Sequence, residues 1–291
     1  MKEGIIPMKA TDLYNQLEKD FVNPKITEDW FDYMAEIEDY ICDNFKQRSI
    51  GLVCDFAQEV RKVYTAVFPS DKVITKILDD GVTNAMLFLH HPADWDLSKD
   101  PNQAFYQMNP QLLEKLKASN TSIFNFHYPL DNFSEYSTSK TLADALGITV
   151  EKPFCEFSGA LCGVIGTTDC KDIHELNARY AQVVGHKTKL YQYGNDEIAN
   201  NKVAICAGGG NDAAVVAELI KDGINVLVSG LSVENSYSTE AHKLEKEHGI
   251  NLIGGTHYSS EKFACIAMCK YFNNLGLDSE FVPDKPCLED L

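Results

Sequence analysis

The sequence predicts a two-lobed α/β fold, and three observations carry that prediction. From Gly51 onward, apolar runs of strand length alternate with helix-length segments, the pattern of βαβ units on a parallel sheet. The stretch K-V-Y-T-A-V-F-P-S-D-K-V-I-T-K-I-L-D-D-G from Lys62 aligns with K-V-A-I-C-A-G-G-G-N-D-A-A-V-V-A-E-L-I-K-D-G from Lys202, with a two-residue insertion in the turn. H-Y-P-L-D at His127 matches H-Y-S-S-E at His257 at the corresponding place in each half. Any two βαβ units look alike, but the second coincidence favours a duplication into similar lobes, residues 1–150 and 151–291, forming one compact unit.

Each element has a local reason. Thr11 or Asp12 caps a first helix through Phe21, with Leu13, Leu17 and Phe21 at helical spacing, and Asn23-Pro24 breaks it. A second helix follows Thr27, with Trp30, Met34, Ile37 and Ile41 on one face and acids on the other. Val60 to Phe68 reads as a strand. Ser70 to Asp80 reads as a helix capped by Ser70 and stopped at Gly81, and Val82 to Leu89 as an apolar strand ending at His90-His91. Asn109-Pro110 opens a further helix, Thr121 to His127 is a strand, and Ser134 to Leu146 a helix ended by Gly147. In the second half, strands are expected at 203–207, 225–228 and 251–253, and helices at 211–221, 240–247 and 261–272.

Composition removes several function classes. The chain has 43 acids against 26 bases, a formal charge of −17, which disfavours a protein that coats nucleic acid or anionic membrane. A phosphate-bearing substrate stays open, because a bound metal supplies positive charge that the count omits. Residues 27–45 and 278–291 contribute −7 and −4 of the total, so the acidity reads as a solvated helix and a tail outside the motif-bearing core. Nine cysteines form no C-x-x-C pair and read as reduced core residues. The opening M-K-E-G-I-I-P-M-K lacks a signal peptide's apolar region, and no apolar run approaches the ~20 residues of a membrane span. A soluble, cytoplasmic protein is expected.

Three places carry chemistry. His90-His91-Pro92 lies at the carboxyl end of a buried strand, where open α/β sheets bind ligands. Adjacent strand residues point to opposite faces, so both imidazoles reach one site only where the backbone turns. Taken alone, the pair more often means two loop-edge histidines. His127-x-x-x-Asp131 and His257-x-x-x-Glu261 follow later strands, and on helical backbone an i, i+4 spacing puts both side chains on one face. For either pair alone, a capping or surface role is the commoner one. Together, four of eight histidines lie at strand ends and two have an acid four residues on, which suffices for two metal ions bridged by a carboxylate. The mixed nitrogen and oxygen set suits Zn²⁺, Fe²⁺ or Mn²⁺ alike. His174, His186, His242 and His248 read as surface or packing residues. The glycine-rich A-G-G-G-N-D from Ala207 reads as a tight turn, with anion binding at the following helix as the alternative. It is neither G-x-G-x-x-G nor a Walker motif.

These pieces resemble the NIF-three-like family (NGG-one-interacting factor three), known also as type-two GTP cyclohydrolases. The matching segments are G-L-V-C-D at Gly51, F-L-H-H-P at Phe88, F-H-Y-P-L-D-N at Phe126, V-A-I-C-A-G-G-G at Val203 and I-N-L-I-G-G-T-H-Y-S-S-E at Ile250. The resemblance implies two α/β lobes facing a dinuclear metal site held by His90, His91, Asp131, His257 and Glu261, with Glu261 as bridge. It implies that His127 is a further ligand or an acid/base group, and that the protein is a homohexameric toroid. Departures are the long acidic segment from Thr27 to Arg48, Phe68-Pro69-Ser70 in place of an Asp-containing turn, Leu231 in place of an acid, Thr256 in place of Gly, and no large insert domain.

The expected function is a metal-dependent hydrolase. In the form the family name implies, metal-activated water attacks C8 of the GTP purine and formate leaves. A phosphoesterase is the alternative enzyme, and a metal-binding regulatory partner protein the non-enzymatic one.

Overall fold

The apolar runs form sheets. A computed structural model describes residues 7–100 and 103–291, which divide by their contacts into residues up to 130 with 265–285, and residues 131–264 with 286–291. The expected boundary near 150 therefore moves: 131–150 pack with the second unit, and 265–285 return to the first. No helix among the described residues is long and apolar enough to cross a membrane.

In the first unit, β1 (Met8–Lys9) leads into α1 (Ala10–Phe21), which buries Leu13 and Leu17. A 3₁₀ helix, Phe31–Tyr40, kinks at Ile37 and is followed by α2 (Asp43–Arg48). Trp30, Met34, Ile37 and Ile41 are all buried, so the apolar face is as the spacing predicts although the helix is the tighter type. Next come β2 (Gly51–Cys54), β3 (Glu59–Val60), β4 (Lys62–Ala66), α3 (Asp71–Asp79) and β5 (Ala85–Leu89). Ser70 caps α3 by accepting from the Val73 N–H. The short hairpin β6 (Asp94–Trp95) and β7 (Phe105–Tyr106) precedes α4 (Pro110–Ala118), whose N-cap is Asn109. β8 (Thr121–Asn125) and α5 (Tyr128–Asp131) complete this stretch.

In the second unit, α6 (Thr138–Ala145) is followed by a long hairpin, β9 (Thr149–Phe157) and β10 (Ala160–Thr167). Then come α7 (Ile173–Val184), β11 (Lys189–Tyr191), β12 (Lys202–Cys206), α8 (Ala213–Asp222), β13 (Val226–Ser229), α9 (Thr239–His248) and β14 (Asn251–Gly254). Helix α10 (His257–Asn274) starts in the second unit and ends in the first, where β15 (Asp278–Phe281) follows.

The two sheets share a plan. The first runs β15-β4-β5-β8-β2, parallel except for β2, and the second runs β11-β14-β13-β12-β10-β9. In the second only β12, β13 and β14 are parallel. Each sheet thus has three parallel strands in sequence order with an antiparallel neighbour beside the third, as the internal repeat predicts. Central strands β5, β8, β13 and β14 are buried along their whole length, which explains their unbroken apolar character. The first core gathers Met34, Phe45, Tyr64, Ile74, Leu87 and Leu113. The second sheet has a core on each face, one around Tyr180 and Val228, the other around Val216 and Leu227.

Candidate metal centre

The first unit brings three histidines together. Past the end of β5, the His90 N–H donates to the Ala66 carbonyl (3.1 Å) and the His91 N–H to that of Val67 (2.9 Å), so the backbone stays tied to the neighbouring strand. Asn125 Nδ2 donates to the His90 carbonyl at 2.6 Å. Both imidazoles are buried. His90 Nδ1 donates to the Phe126 carbonyl at 3.0 Å, which in the neutral ring places the lone pair on Nε2. His127 follows β8, with its ring centroid 5.2 Å from His90 and 4.8 Å from His91. One ring nitrogen from each of the three lies within 4.8 Å of the others. Phe68 stacks on His91 at 4.7 Å, and Trp30 stands edge-on to His91 and His127 at 5.7 and 5.0 Å. The family's Asp-containing turn is thus replaced by an aromatic face against a histidine.

The second unit supplies carboxylates. His257 and Glu261 lie on the first turn and a half of α10, with Nε2 3.2 Å from Oε1 and both side chains buried. The helical condition for their i, i+4 spacing holds. Asp131 closes α5, is 9% exposed, and accepts from Thr138 Oγ1 at 2.5 Å. Burial pushes the Cys206 thiol far up, and nearby charged groups including Asp131 and Glu261 push it further.

The glycine-rich segment takes the turn form. Gly208 has a φ of +64°, and a Cβ there would overlap Glu261 Oε1. Its N–H donates to Ser260 Oγ (2.9 Å), which in turn donates to the His257 carbonyl (2.9 Å). The turn is therefore fastened to the α10 turn that bears the candidate ligands. A carboxylate faces Gly208, and Asp212 caps α8 by accepting from the Ala214 N–H, both in keeping with the turn reading.

The acidic ends are not simply solvated. Glu28 buries its carboxylate, 1% exposed, against His127, and Asp290, fully buried, accepts from the His257 N–H at 2.8 Å. Periodicity says nothing about either, because Glu28 precedes the 3₁₀ helix and Asp290 lies in a short 3₁₀ turn, Leu288–Asp290. An acid two residues before a buried tryptophan was the available signal for Glu28. His242 takes the packing role of the two expected for it. It is fully buried, with Nδ1 2.9 Å from Tyr193 Oη and Nε2 3.0 Å from the Ser232 carbonyl. His174 is exposed as expected, and His186 bonds Ser259 Oγ at 2.7 Å.

The donor set is imidazole nitrogen and carboxylate oxygen, buried and convergent within each unit, and it fits a divalent transition metal. The sequence is 25% identical to a GTP cyclohydrolase 1 type 2 homolog of Buchnera aphidicola over 236 residues, 80% of this chain and 87% of that protein. A homolog of the same description from Salmonella typhimurium is 24% identical over 264 residues, covering 85% and 96%. In fold, the chain resembles the solved protein ybgI, described as of unknown function, with a TM-score of 0.72 at 22% identity over 96% of this chain and all of that one. It also resembles reduced HcgD from Methanocaldococcus jannaschii, with a TM-score of 0.66 at 22% identity over the same shares. The family model Duf34/NIF3 (NGG1p interacting factor 3) matches residues 29–284, which leaves Glu28 and Asp290 just outside the matched stretch. With most of its length matched, the chain belongs to the Duf34/NIF3 family.

Proposed function

We propose that this chain is a metal-dependent hydrolase of the type-two GTP cyclohydrolase class. His90, His91, Asp131, His257 and Glu261 would hold two divalent metal ions. The observation that carries the reading is the three-histidine group at the end of β5 and β8, two of its rings buried and the third half-buried, a donor set with no need to converge for packing alone. Membership of the family and the names of its relatives support the reaction class.

Bound divalent metal would supply Lewis acidity and a nucleophilic water at neutral pH, where free water is inert. Asp131 is held by Thr138, and Glu261 by the helix geometry that sets it beside His257, so neither needs reorientation. His127, whose ring lies beside those of His90 and His91, would take or deliver a proton as the purine ring opens at C8. Phe68 and Trp30 cover His91 and keep water from its far side. The acidity of the molecule does not exclude an anionic nucleotide: −11 of the −17 charges lie in residues 27–45 and 278–291.

Incubation of metal-loaded protein with GTP and with a generic phosphoester tests the reading. Formate release is expected, and Glu261→Ala should lose at least one metal and the formate signal together. Phosphate release without formate would make the protein a phosphoesterase. Neither product at full metal occupancy would leave a binding or regulatory role.

A further inference from the structure

Glu28 meets three N–H groups. Its Oε2 lies 2.9 Å from His127 Nδ1 and accepts from Trp30 Nε1 at 2.7 Å, while Oε1 accepts from the Tyr128 backbone N–H at 3.0 Å. The indole and the backbone amide donate only. This is the partner set of an ionised carboxylate, which accepts and does not donate, so the proton in the contact with His127 belongs to the imidazole. The ring cannot turn over without cost, because that would set a carbon against Glu28. Its plane is also bounded by Trp30 at 5.0 Å and by Tyr128 at 4.5 Å.

We propose that Glu28 is a positioning residue that holds His127 as the Nδ1–H tautomer and presents the Nε2 lone pair to the histidine group at His90 and His91. The arrangement places a carboxylate behind an imidazole, the pairing by which outer partners fix ring orientation and raise ligand basicity in metal sites. It also gives the buried end of the acidic segment a task that its composition hides. Glu28 holds the first N–H of α5 as well, so one side chain fixes both the ring and the start of the short helix that carries Asp131. The inference deepens the metal-site reading, but its first test needs neither metal nor substrate.

Metal-free protein labelled with ¹⁵N-histidine would be examined by long-range proton–nitrogen correlation, with the His127 signal assigned by its loss in His127→Asn. The expected result is a protonated Nδ1 and an unprotonated Nε2. Glu28→Gln keeps size but has one acceptor oxygen for three donors, so the single tautomer should be lost. Co²⁺ affinity, followed by the absorption of the bound ion, should fall about 10–100-fold. An Nε2–H tautomer in the unaltered protein overturns the proposal, and that measurement stands even if the variant does not fold. An unchanged tautomer in Glu28→Gln also overturns it, whether or not metal affinity falls, since Glu28 would then act only through Trp30 or the start of α5. If the tautomer result holds and GTP still yields no formate, the positioning role survives and the hydrolase reading alone fails.

Discussion

Glu245 has a carboxyl group buried completely in α9, with no hydrogen bond to either oxygen among the described residues and His242 Nδ1 3.5 Å from Oε2. Loss of hydration raises its pKa from 4.5 to about 8, against a smaller opposing pull from Lys246. Burial also lowers the pKa of His242, the imidazole beside it, whose other contacts are Tyr193 and the Ser232 carbonyl. The sign follows from proton counts. Between pH 4.5 and about 8 the folded Glu245 holds a proton that the unfolded chain has lost, so stability falls as pH rises, by roughly 1 kcal/mol per unit. His242 acts in the opposite sense below its ordinary value, so the clean window lies above pH 7. Denaturant melts of Glu245→Gln should lose less stability than the unaltered protein from pH 7 to 9, and parallel curves would refute the shift. His90, His91, His257 and Glu261 were legible as residues because strand ends and i, i+4 spacing are local. The burial of His242 and Glu28 was not, because it comes from segments distant in sequence.

Helix α10 illustrates what an element owes to its surroundings. The sequence suggests a start near Glu261, since H-Y-S-S has weak helical character, but the helix begins at His257. Thr256 Oγ1 accepts from the Ser259 N–H as an ordinary N-cap, and Asp290 takes the His257 N–H that no local residue reaches. Asp290 in turn accepts through its carbonyl from the N–H groups of Ser232 and Val233. Asp290→Ala should therefore cost about 1 kcal/mol and speed hydrogen exchange at residues 257–260. Asp290→Asn, which keeps an acceptor oxygen, should stay near the unaltered protein. Unchanged exchange in the alanine variant would show that the tail does not hold the helix. The repeated parallel strands were readable from their apolar runs, whereas the β9–β10 hairpin was not. Its strands mix polar and apolar residues, Pro153 sits on the edge strand, and the Ser158-Gly159 turn, positive in φ at both positions, is its one sharp local sign.

At the scale of the whole molecule, the acidic charge and the proposed metals bear on the same equilibrium. Acidic side chains at Asp131, Glu261 and Asp290 are buried, and the Glu28 carboxylate is buried too, so the acids counted in the net charge are not all solvated. Metal that binds the folded chain and not the unfolded one stabilises it by about 4 kcal/mol at a thousandfold excess over Kd. For a chain of this size that corresponds to roughly 7 °C in melting temperature. Scanning calorimetry of metal-loaded and chelated protein should show that separation. If His90, His91, His257 and Glu261 are ligands, hydrogen exchange should slow on metal addition both at residues 89–92 and at residues 257–261. Slowing in one of these segments alone would remove the other segment's residues from the proposed ligand set. Equal melting at verified metal occupancy would mean the ions do not engage the buried groups at all.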